Sequence, residues 1–516
     1  MQIPAGKPTA SVLAAAARLA MLLAALSTAG CAVGPDFKTP QTAAPEAWSG
    51  SAPNQSAEPA PLAQWWRQFN DPLLVDLVEQ ALADNLDLKT ARARLRQARA
   101  ARGVAVGGLL PHVTATGEYQ RQQNAAAGGQ GQKSAGFSPV QDLYMTGLDA
   151  VWELDLFGGQ RRQVEAAGAG VAAAVENIRD AQVSAAAEVA LDYVTLRGYQ
   201  RQIAVAKDTL AAQQATAAII RRQKDAGFAS ALDAASAEAT ALTTQALIPV
   251  LETSARQTIH ALSLLLARPP ADLVGRLSGD GPQPSAPASL PVGVPSDLLR
   301  RRADIREAEA QLHAATAQIG VAVADFFPSF SLTGNVGWSN NLLGLWWAAA
   351  SRSFSFGPSI SWPIFQGGAI QANVRLQEAL KDQAYLAYQK TVLTAFQDVE
   401  NALVALGQEQ LRRRALTQAV AANRKAVDLS LVLYAAGQTD FLSVLTAQRA
   451  LYVNEDALAQ SERNVATCLI ALYKALGGGW ESLPPETGEA APAAEQAAAP
   501  VSPVSPVSPD ATFPLG

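Results

Sequence analysis

The chain has 516 residues, with 40 lysines and arginines against 45 aspartates and glutamates, for a formal net charge of −5. That balance excludes nucleic acid as an expected partner, since a basic footprint is missing. Hydrophobic residues make up 49%, ample for a large core, and two cysteines, Cys31 and Cys468, do not make a disulfide framework.

Residues 1–30 read as a signal peptide. Lys7 and Arg18 precede the apolar run Leu19 to Gly30, which is too short to span a bilayer and ends in small residues. Cys31 follows directly, and STAGC resembles a bacterial lipobox with Thr28 where leucine is usual. Cys31 is then the lipidated first residue of the mature chain; the alternative is a plain signal peptide with a chance cysteine. Ala32 after it fits sorting to the outer membrane. An acylated cysteine anchors a chain to a membrane without spanning it. No run of 18 apolar residues follows, so the mature chain is either tethered only or crosses the membrane as strands.

Residues 31–62, rich in Pro, Ala and Ser, read as a lipidated N-terminal arm. Two copies of one unit follow, 63–267 and 296–480, joined by a linker or equatorial segment at 268–295. Residues 481–516, ending in VSPVSPVSP, have the composition of a disordered tail. The duplication is visible in NLDLKTARARLRQARAARGVAVGGLLPHVTATG (85–117) against RADIREAEAQLHAATAQIGVAVADFFPSFSLTG (302–334), and in DLFGG (155–159) against PIFQGG (363–368). The spacing is about 210 residues, too long for a small solenoid repeat.

Each copy reads helix, strand, loop, strand, very long helix, tight turn, long helix. Strands are expected at about 112–120 and 143–157, then at about 329–339 and 353–365. Long helices are expected at about 160–224 and 231–267, then at about 368–434 and 441–476. At 1.5 Å per residue the longest would reach roughly 100 Å, and such helices need a partner along their length. Val444, Leu451, Leu458, Val465 and Leu472 recur every seven residues, and Leu386, Leu393, Phe396 and Leu403 are the expected facing knobs. Pro249 should kink or break its helix, at a cost of about 3 kcal/mol.

The strands are two-faced. Val113, Ala115 and Tyr119 alternate with Thr114, Thr116, Glu118 and Gln120. Leu148, Ala150, Trp152, Leu154 and Leu156 oppose Asp149, Glu153 and Asp155. Phe330, Leu332, Val336 and Trp338 alternate with Ser329, Ser331, Thr333 and Asn335; Phe354, Phe356, Ile360 and Trp362 alternate with serines. One such strand would fit a small soluble sheet packed on a helix. Four of them near membrane length, behind a lipoprotein signal, fit a transmembrane sheet with aromatic girdles at its ends. Four strands cannot close a barrel, and an open edge is forbidden in lipid, so the chain must oligomerise: two copies give eight strands, three give twelve.

PVGVPSDLLRRRADIREAEAQL (291–312), CAVGPDFKTP (31–40), WWRQFNDPLL (65–74) and YAAGQTDFLSVLTAQ (434–448) resemble the TolC/OprM family of outer-membrane efflux proteins, in its NodT-type lipoprotein branch, with Ala303 where the family usually has proline. The resemblance spans about residues 31 to 480. It implies a mixed α+β, mainly α fold: a homotrimer with a twelve-stranded transmembrane β-barrel, four strands per chain, continued by a long α-helical coiled-coil barrel in the periplasm. It implies an exit duct that docks to a periplasmic adaptor protein and an inner-membrane RND-type transporter. It also implies a periplasmic gate at the two helix turns. Asp233, six residues after Gly227, matches a family gate aspartate, and Tyr434, three before Gly437, matches a tip tyrosine. Ser443 and Thr446 stand where acidic residues can occur and Thr439 where arginine can occur; Asp225 and Asp440 are substitutes inferred from position alone, the alternative being that these aspartates are solvated or helix-capping turn residues, Asp440 as an N-cap before FLSVL. Asp149, Glu153 and Asp155 are the expected lumen-facing strand residues.

The three histidines, His112, His260 and His313, lack metal-ligand spacing, and the chain carries neither a phosphate loop nor a nucleophile elbow. No enzyme activity and no cofactor beyond the covalent lipid on Cys31 is expected. His260 is expected in the core or an interface and Cys468 as a buried apolar residue. Three functions compete: a passive small-molecule efflux duct, the same duct serving type I protein secretion, and a coiled-coil structural lipoprotein without a pore. A barrel requires Leu332, Val336 and Ile360 to face lipid.

Overall fold

The computed structural model describes residues 32–49, 55–56, 62–123, 140–284, 290–291 and 295–481. Helices α1 (Pro72–Asp84) and α2 (Leu86–Gly107) lead into strands β1 (His112–Gln123) and β2 (Val140–Leu154). Helices α3 (Gly159–Asp225) and α4 (Ala231–Leu265) follow. The second copy repeats the order with α5 (Ala303–Ala324), β3 (Ser329–Asn340), β4 (Arg352–Ser361), α6 (Ala369–Ala435) and α7 (Phe441–Ala475). Helices α3 and α6 each have 67 residues, and α4 and α7 each have 35. At 1.5 Å per residue the longer pair extends about 100 Å.

Local chemistry sets the ends. Asp71 caps α1 by accepting from the amides of Leu73 and Leu74, with Pro72 where its missing N–H is harmless. Asn85 caps α2, and its amide donates to the Leu265 carbonyl at the end of α4 (3.0 Å). Gly158 and Gly368 start the longest helices at φ +81° and +86°, a backbone only glycine adopts freely.

The core sits where the helix pairs of both copies meet. Trp65, Trp66 and Phe69 pack with Leu74 and Leu77 against Tyr193 and Leu196 of α3, Val399 and Leu403 of α6, and Leu469 and Tyr473 of α7. Two tyrosine tips find partners inside it: Tyr193 donates to Asp71 (2.6 Å) and Tyr473 to Gln68 (2.7 Å). The N-terminal arm, residues 32–49, runs over this body without regular structure. Arg162, its side chain 5% exposed, holds it by donating to the Val33 carbonyl (3.1 Å) and to Asp36 (2.7 Å). Phe37 stacks on His313 at 4.4 Å, Thr39 donates to Glu309 and the Ser49 amide to Glu400.

Several expectations are corrected. Pro249 does not break α4, which continues from Ala231 to Leu265 with the proline inside; neighbouring α3 packs along it and compensates for one lost backbone bond. Of the two readings of 268–295, a bare linker does not fit, because Leu273 and Leu277 are buried in the core and the carbonyls of Leu277 and Gly279 accept from Gln200 and Arg197. Leu386 and Leu393 are exposed, so they are not the knobs facing α7. The buried stripe of α6 runs through Tyr388, Val392, Ala395, Val399, Leu403 and Leu406, spaced by three and four residues. Such a long helix carries a second apolar stripe that its own chain leaves uncovered. Cys468 is only half-buried, and His260 lies outside the core of the single chain, on its surface, where only an interface with a neighbouring copy could cover it.

Burial, with Glu188 one turn earlier, pushes Asp192 of α3 up to about 6, from an ordinary value of 3.8. A raised carboxyl favours the protonated form in the folded chain, so stability is highest in acid and falls as pH rises from about 4 through 6. The loss is on the order of 2 kcal/mol. Asp192→Asn should flatten the fall of the urea midpoint between pH 4 and pH 7; an unchanged pH profile would refute the assignment.

Candidate functional site

The four strands form one antiparallel sheet in the order β1-β2-β3-β4. Its register sorts the side chains completely into rows. Ala115, Leu148, Val336 and Phe354 lie opposite one another on one face; Thr114, Asp149, Asn335 and Ser355 do so on the other. The apolar face is uncovered: Val113, Leu148, Leu332, Val336, Phe356 and Ile360 are all exposed. This is the reverse of a soluble sheet, which would bury that face on a helix. The polar face is knit across strands, with Thr116 donating to Asp149 (3.1 Å) and the Ser355 amide to Asn335 (3.0 Å).

Aromatic residues border the apolar band. At the end away from the helices stand Tyr119, Tyr144 and Trp338, with Tyr119 and Tyr144 rings 5.0 Å apart. At the helix end, Trp152 donates to the Leu109 carbonyl and Trp362 to that of Phe326, both at 3.0 Å, one contact made once in each copy. Phe157 stacks on Phe327 at 4.5 Å beside them. The two borders are eight residues apart on β2 and β3, about 27 Å along a strand, which suits the apolar band of a tilted membrane strand.

Of the expected lumen residues, Asp149 and Glu153 lie on the polar face of β2. Asp155 does not: β2 ends at Leu154, and the Asp155 carboxylate accepts from the amides of Gln160 and Arg161 and from the Arg161 guanidinium (3.2 Å). It fastens the strand to the first turn of α3, where unpaired helix amides attract a carboxylate. Cys31 falls outside the described residues, but the Val33 amide donates to the Phe157 carbonyl (3.0 Å), so the arm starts at the aromatic border on the helix side.

At the far end of the helices two turns come together, α3 to α4 and α6 to α7, each with a glycine at positive φ, Gly227 and Gly437. Tyr434 donates to Gln223 (3.2 Å) and its ring lies 5.4 Å from Phe441. Ile220, Ala237, Phe441, Val444 and Leu445 form a small core between the turns. Asp233 closes a capping box with Ser230, accepting from its amide (3.2 Å) while its own amide donates to the Ser230 hydroxyl (3.0 Å). Asp440 caps α7: hydrogen bonds from the Ser443 hydroxyl (2.6 Å) and amide (2.9 Å) hold its carboxyl below the usual range. Asp225 is exposed beside Lys224 (3.7 Å). The geometry thus brings Tyr434 into contact with the first copy's turn, while both capping aspartates serve helix ends.

Sequence reasoning missed Arg162 and Arg302. The second lies within the RRADIREAEAQL stretch and joins α5, α6 and α7, donating to Asp304 (2.7 Å), Asp398 (3.1 Å) and the Ala475 carbonyl (3.1 Å). No helix among the described residues is long and apolar enough to cross a membrane, and no group of metal-ligating side chains is found among them.

A sheet with its apolar face outward, bordered by aromatics and continued by long paired helices, defines a channel subunit of the outer membrane. The outer membrane efflux protein family model matches residues 77–268 and 294–478, and the chain belongs to that family. It is 35% identical over 478 residues to the toluene efflux pump outer membrane protein TtgC of Pseudomonas putida, covering 92% of this chain and 97% of TtgC. It is 32% identical to nodulation protein T of Rhizobium leguminosarum bv. trifolii, covering 88% of this chain and 96% of that one. The solved outer-membrane channel OprN superposes with a TM-score of 0.79 at 37% identity, covering 87% of this chain and all of OprN. The chain is an outer-membrane efflux channel protein, with a mainly α fold.

Proposed function

We propose that three copies of the chain close one twelve-stranded barrel and form the passive exit duct of a tripartite pump for small molecules. The observation that carries this is the open sheet. β1 and β4 are its edges, and strand direction alternates across it, so β4 of one copy can pair antiparallel with β1 of the next. Unpaired edges of 12 and 10 residues would each strand several backbone groups in lipid, at several kcal/mol per group. Asp149 and Glu153 then face the lumen. The second apolar stripe of α6, with Leu386, Leu393, Val404 and Leu411 exposed, fits a neighbouring copy.

The start of the arm at Phe157 supports a lipid on Cys31 at the same membrane level. Exposed Phe228, Leu232 and Leu442 at the helix turns fit a periplasmic adaptor, beyond which an RND-type transporter supplies the energy. Small-molecule cargo is favoured over secreted protein by relatives named for toluene and antibiotic efflux. The mass of the protein extracted in mild detergent, corrected for bound detergent, should equal three chains. A stable single chain, released without detergent once the lipid is removed, would leave only a tethered coiled-coil lipoprotein.

In this duct the gate lies at the paired turns. Tyr434 latches the second hairpin to the first, with Asp233, Asp440 and Asp225 forming rings of like charge around the opening. Tyr434→Ala should raise single-channel conductance in planar bilayers several-fold, because it removes both the Gln223 bond and the Phe441 contact. Tyr434→Phe should give an intermediate value. Equal conductance in all three proteins would place the constriction elsewhere.

A further inference from the structure

The loop between β3 and β4 takes no part in the duct as described. It runs Asn340 to Ser351 as NNLLGLWWAAAS, twelve residues without a charge. The corresponding loop of the first copy, residues 124–139, reads NAAAGGQGQKSAGFSP and is polar and glycine-rich. Duplication therefore supplied two hairpins, and only the second carries an apolar tip.

That tip has a built shape. The Asn340 side-chain amide donates to the Ser351 hydroxyl (2.6 Å), which donates to the Leu345 carbonyl (2.8 Å), and the Leu342 amide donates back to Asn340 (2.9 Å). Two short 3-10 turns, Leu343–Leu345 and Ala349–Ser351, take up further backbone groups. With the polar atoms gathered inside, the apolar side chains are turned out: Leu342, Leu343 and Trp347 are 60%, 61% and 63% exposed.

The direction in which the tip leans is also visible. Trp347 lies 5.2 Å from Trp338, and Trp346 lies 6.1 Å from Tyr144. Trp338 and Tyr144 both belong to the apolar face of the sheet, in the rows of Val336 and Leu148. The tip is thus continuous with the lipid-facing band and leans away from the polar face. A tip that capped the lumen would have to lean the other way.

We propose that this loop is a membrane anchor whose leucines and tryptophans insert among the acyl chains at the outer-leaflet interface. Amphipathic aromatic rings favour that depth, and the hydrogen bonds made within the loop lower the cost of bringing part of its backbone there. The anchor fixes how deep the barrel rides and holds the outer rim of one hairpin per copy in the lipid. The proposal rests on the barrel reading, and its test separates the two.

Single cysteines are placed at Leu343, Phe356 and Ser355 in the full chain with Cys468→Ala, and each is labelled with an environment-sensitive fluorophore. The proteins are reconstituted in dioleoylphosphatidylcholine vesicles and, in parallel, in vesicles of its acyl-brominated analogue, with iodide as the aqueous quencher. Phe356 reports the lipid face and Ser355 the lumen. The expected result is blue-shifted emission at Leu343, most of it lost in brominated lipid and little of it lost to iodide, as at Phe356. Iodide quenching at Leu343 with lipid quenching at Phe356 would overturn the anchor and leave the barrel standing. Protection of Leu343 from both quenchers would assign the tip to a neighbouring copy and also overturn it. Iodide quenching at Phe356 would overturn the barrel reading itself.

Discussion

Phe356→Arg should prevent assembly of the membrane-inserted oligomer, whereas Ser355→Arg, one residue away, should leave it intact. Phe356 is 81% exposed at the middle of β4 on the apolar face, opposite Gly334. Ser355 points to the other face, beside Asn335. An arginine facing lipid at mid-depth costs about 2–4 kcal/mol, and a symmetric barrel carries the cost once per copy. Three copies give roughly 6–12 kcal/mol, comparable to the whole stability of an ordinary domain. On the lumen face the same charge stays hydrated and should shift permeation toward anions. The measurement is the oligomeric fraction after mild detergent extraction, followed by reversal potentials in a salt gradient. If Phe356→Arg assembled like the parent, the apolar face would not be in lipid.

Arg302→Ala should lower stability by about 2–3 kcal/mol, read as the shift of the urea midpoint of the detergent-solubilised protein. Its side chain is 12% exposed, and the Ala475 carbonyl it reaches belongs to the last residue of α7, where helix carbonyls lack partners. Removing the guanidinium leaves Asp304 and Asp398 next to Asp180, whose carboxyl is already pushed up by burial and by Asp304. Both released carboxylates are partly hydrated, which keeps the loss below that of a fully buried pair. Arg302→Lys should recover only part of it, because one ammonium cannot span two carboxylates and a carbonyl with the same fork. A neutral effect of Arg302→Ala would show that this junction is held by its apolar contacts alone. The RRAD stretch is then explained physically: it supplies the cation that ties the second copy's short helix to its long hairpin.

Much of the candidate site was legible in the chain. Alternation in Ser329 to Ser339 shows a two-faced strand because side chains on a strand change sides at every residue, whatever lies around it. DLFGG against PIFQGG and the longer matched stretches, copies about 210 residues apart, report the duplication. Each of these signals is local or compares the chain with itself. Asp155 was misassigned because alternation does not announce where a strand stops; the helix amides of Gln160 and Arg161 claimed its carboxylate instead. Asp233 and Asp440 could be placed at the turns, and their capping bonds are local too, joining Ser230 to Asp233 and Asp440 to Ser443 three residues apart; the contact of Tyr434 with Gln223 is what needed the tertiary structure.

The sequence by itself determined the element order, the two faces of each strand and the length of the helices, because periodicity is a property of neighbours along the chain. Only the tertiary structure decided which of two apolar stripes on α6 packs inside. A 67-residue helix presents several faces, and α7 selects the one through Val399 and Leu403 while Leu386 and Leu393 stay outside. The same holds for the tryptophans of the β3–β4 loop. Composition shows that the loop is apolar; their contacts with Trp338 and Tyr144 show that it leans toward the lipid face, since direction is set by what a side chain touches.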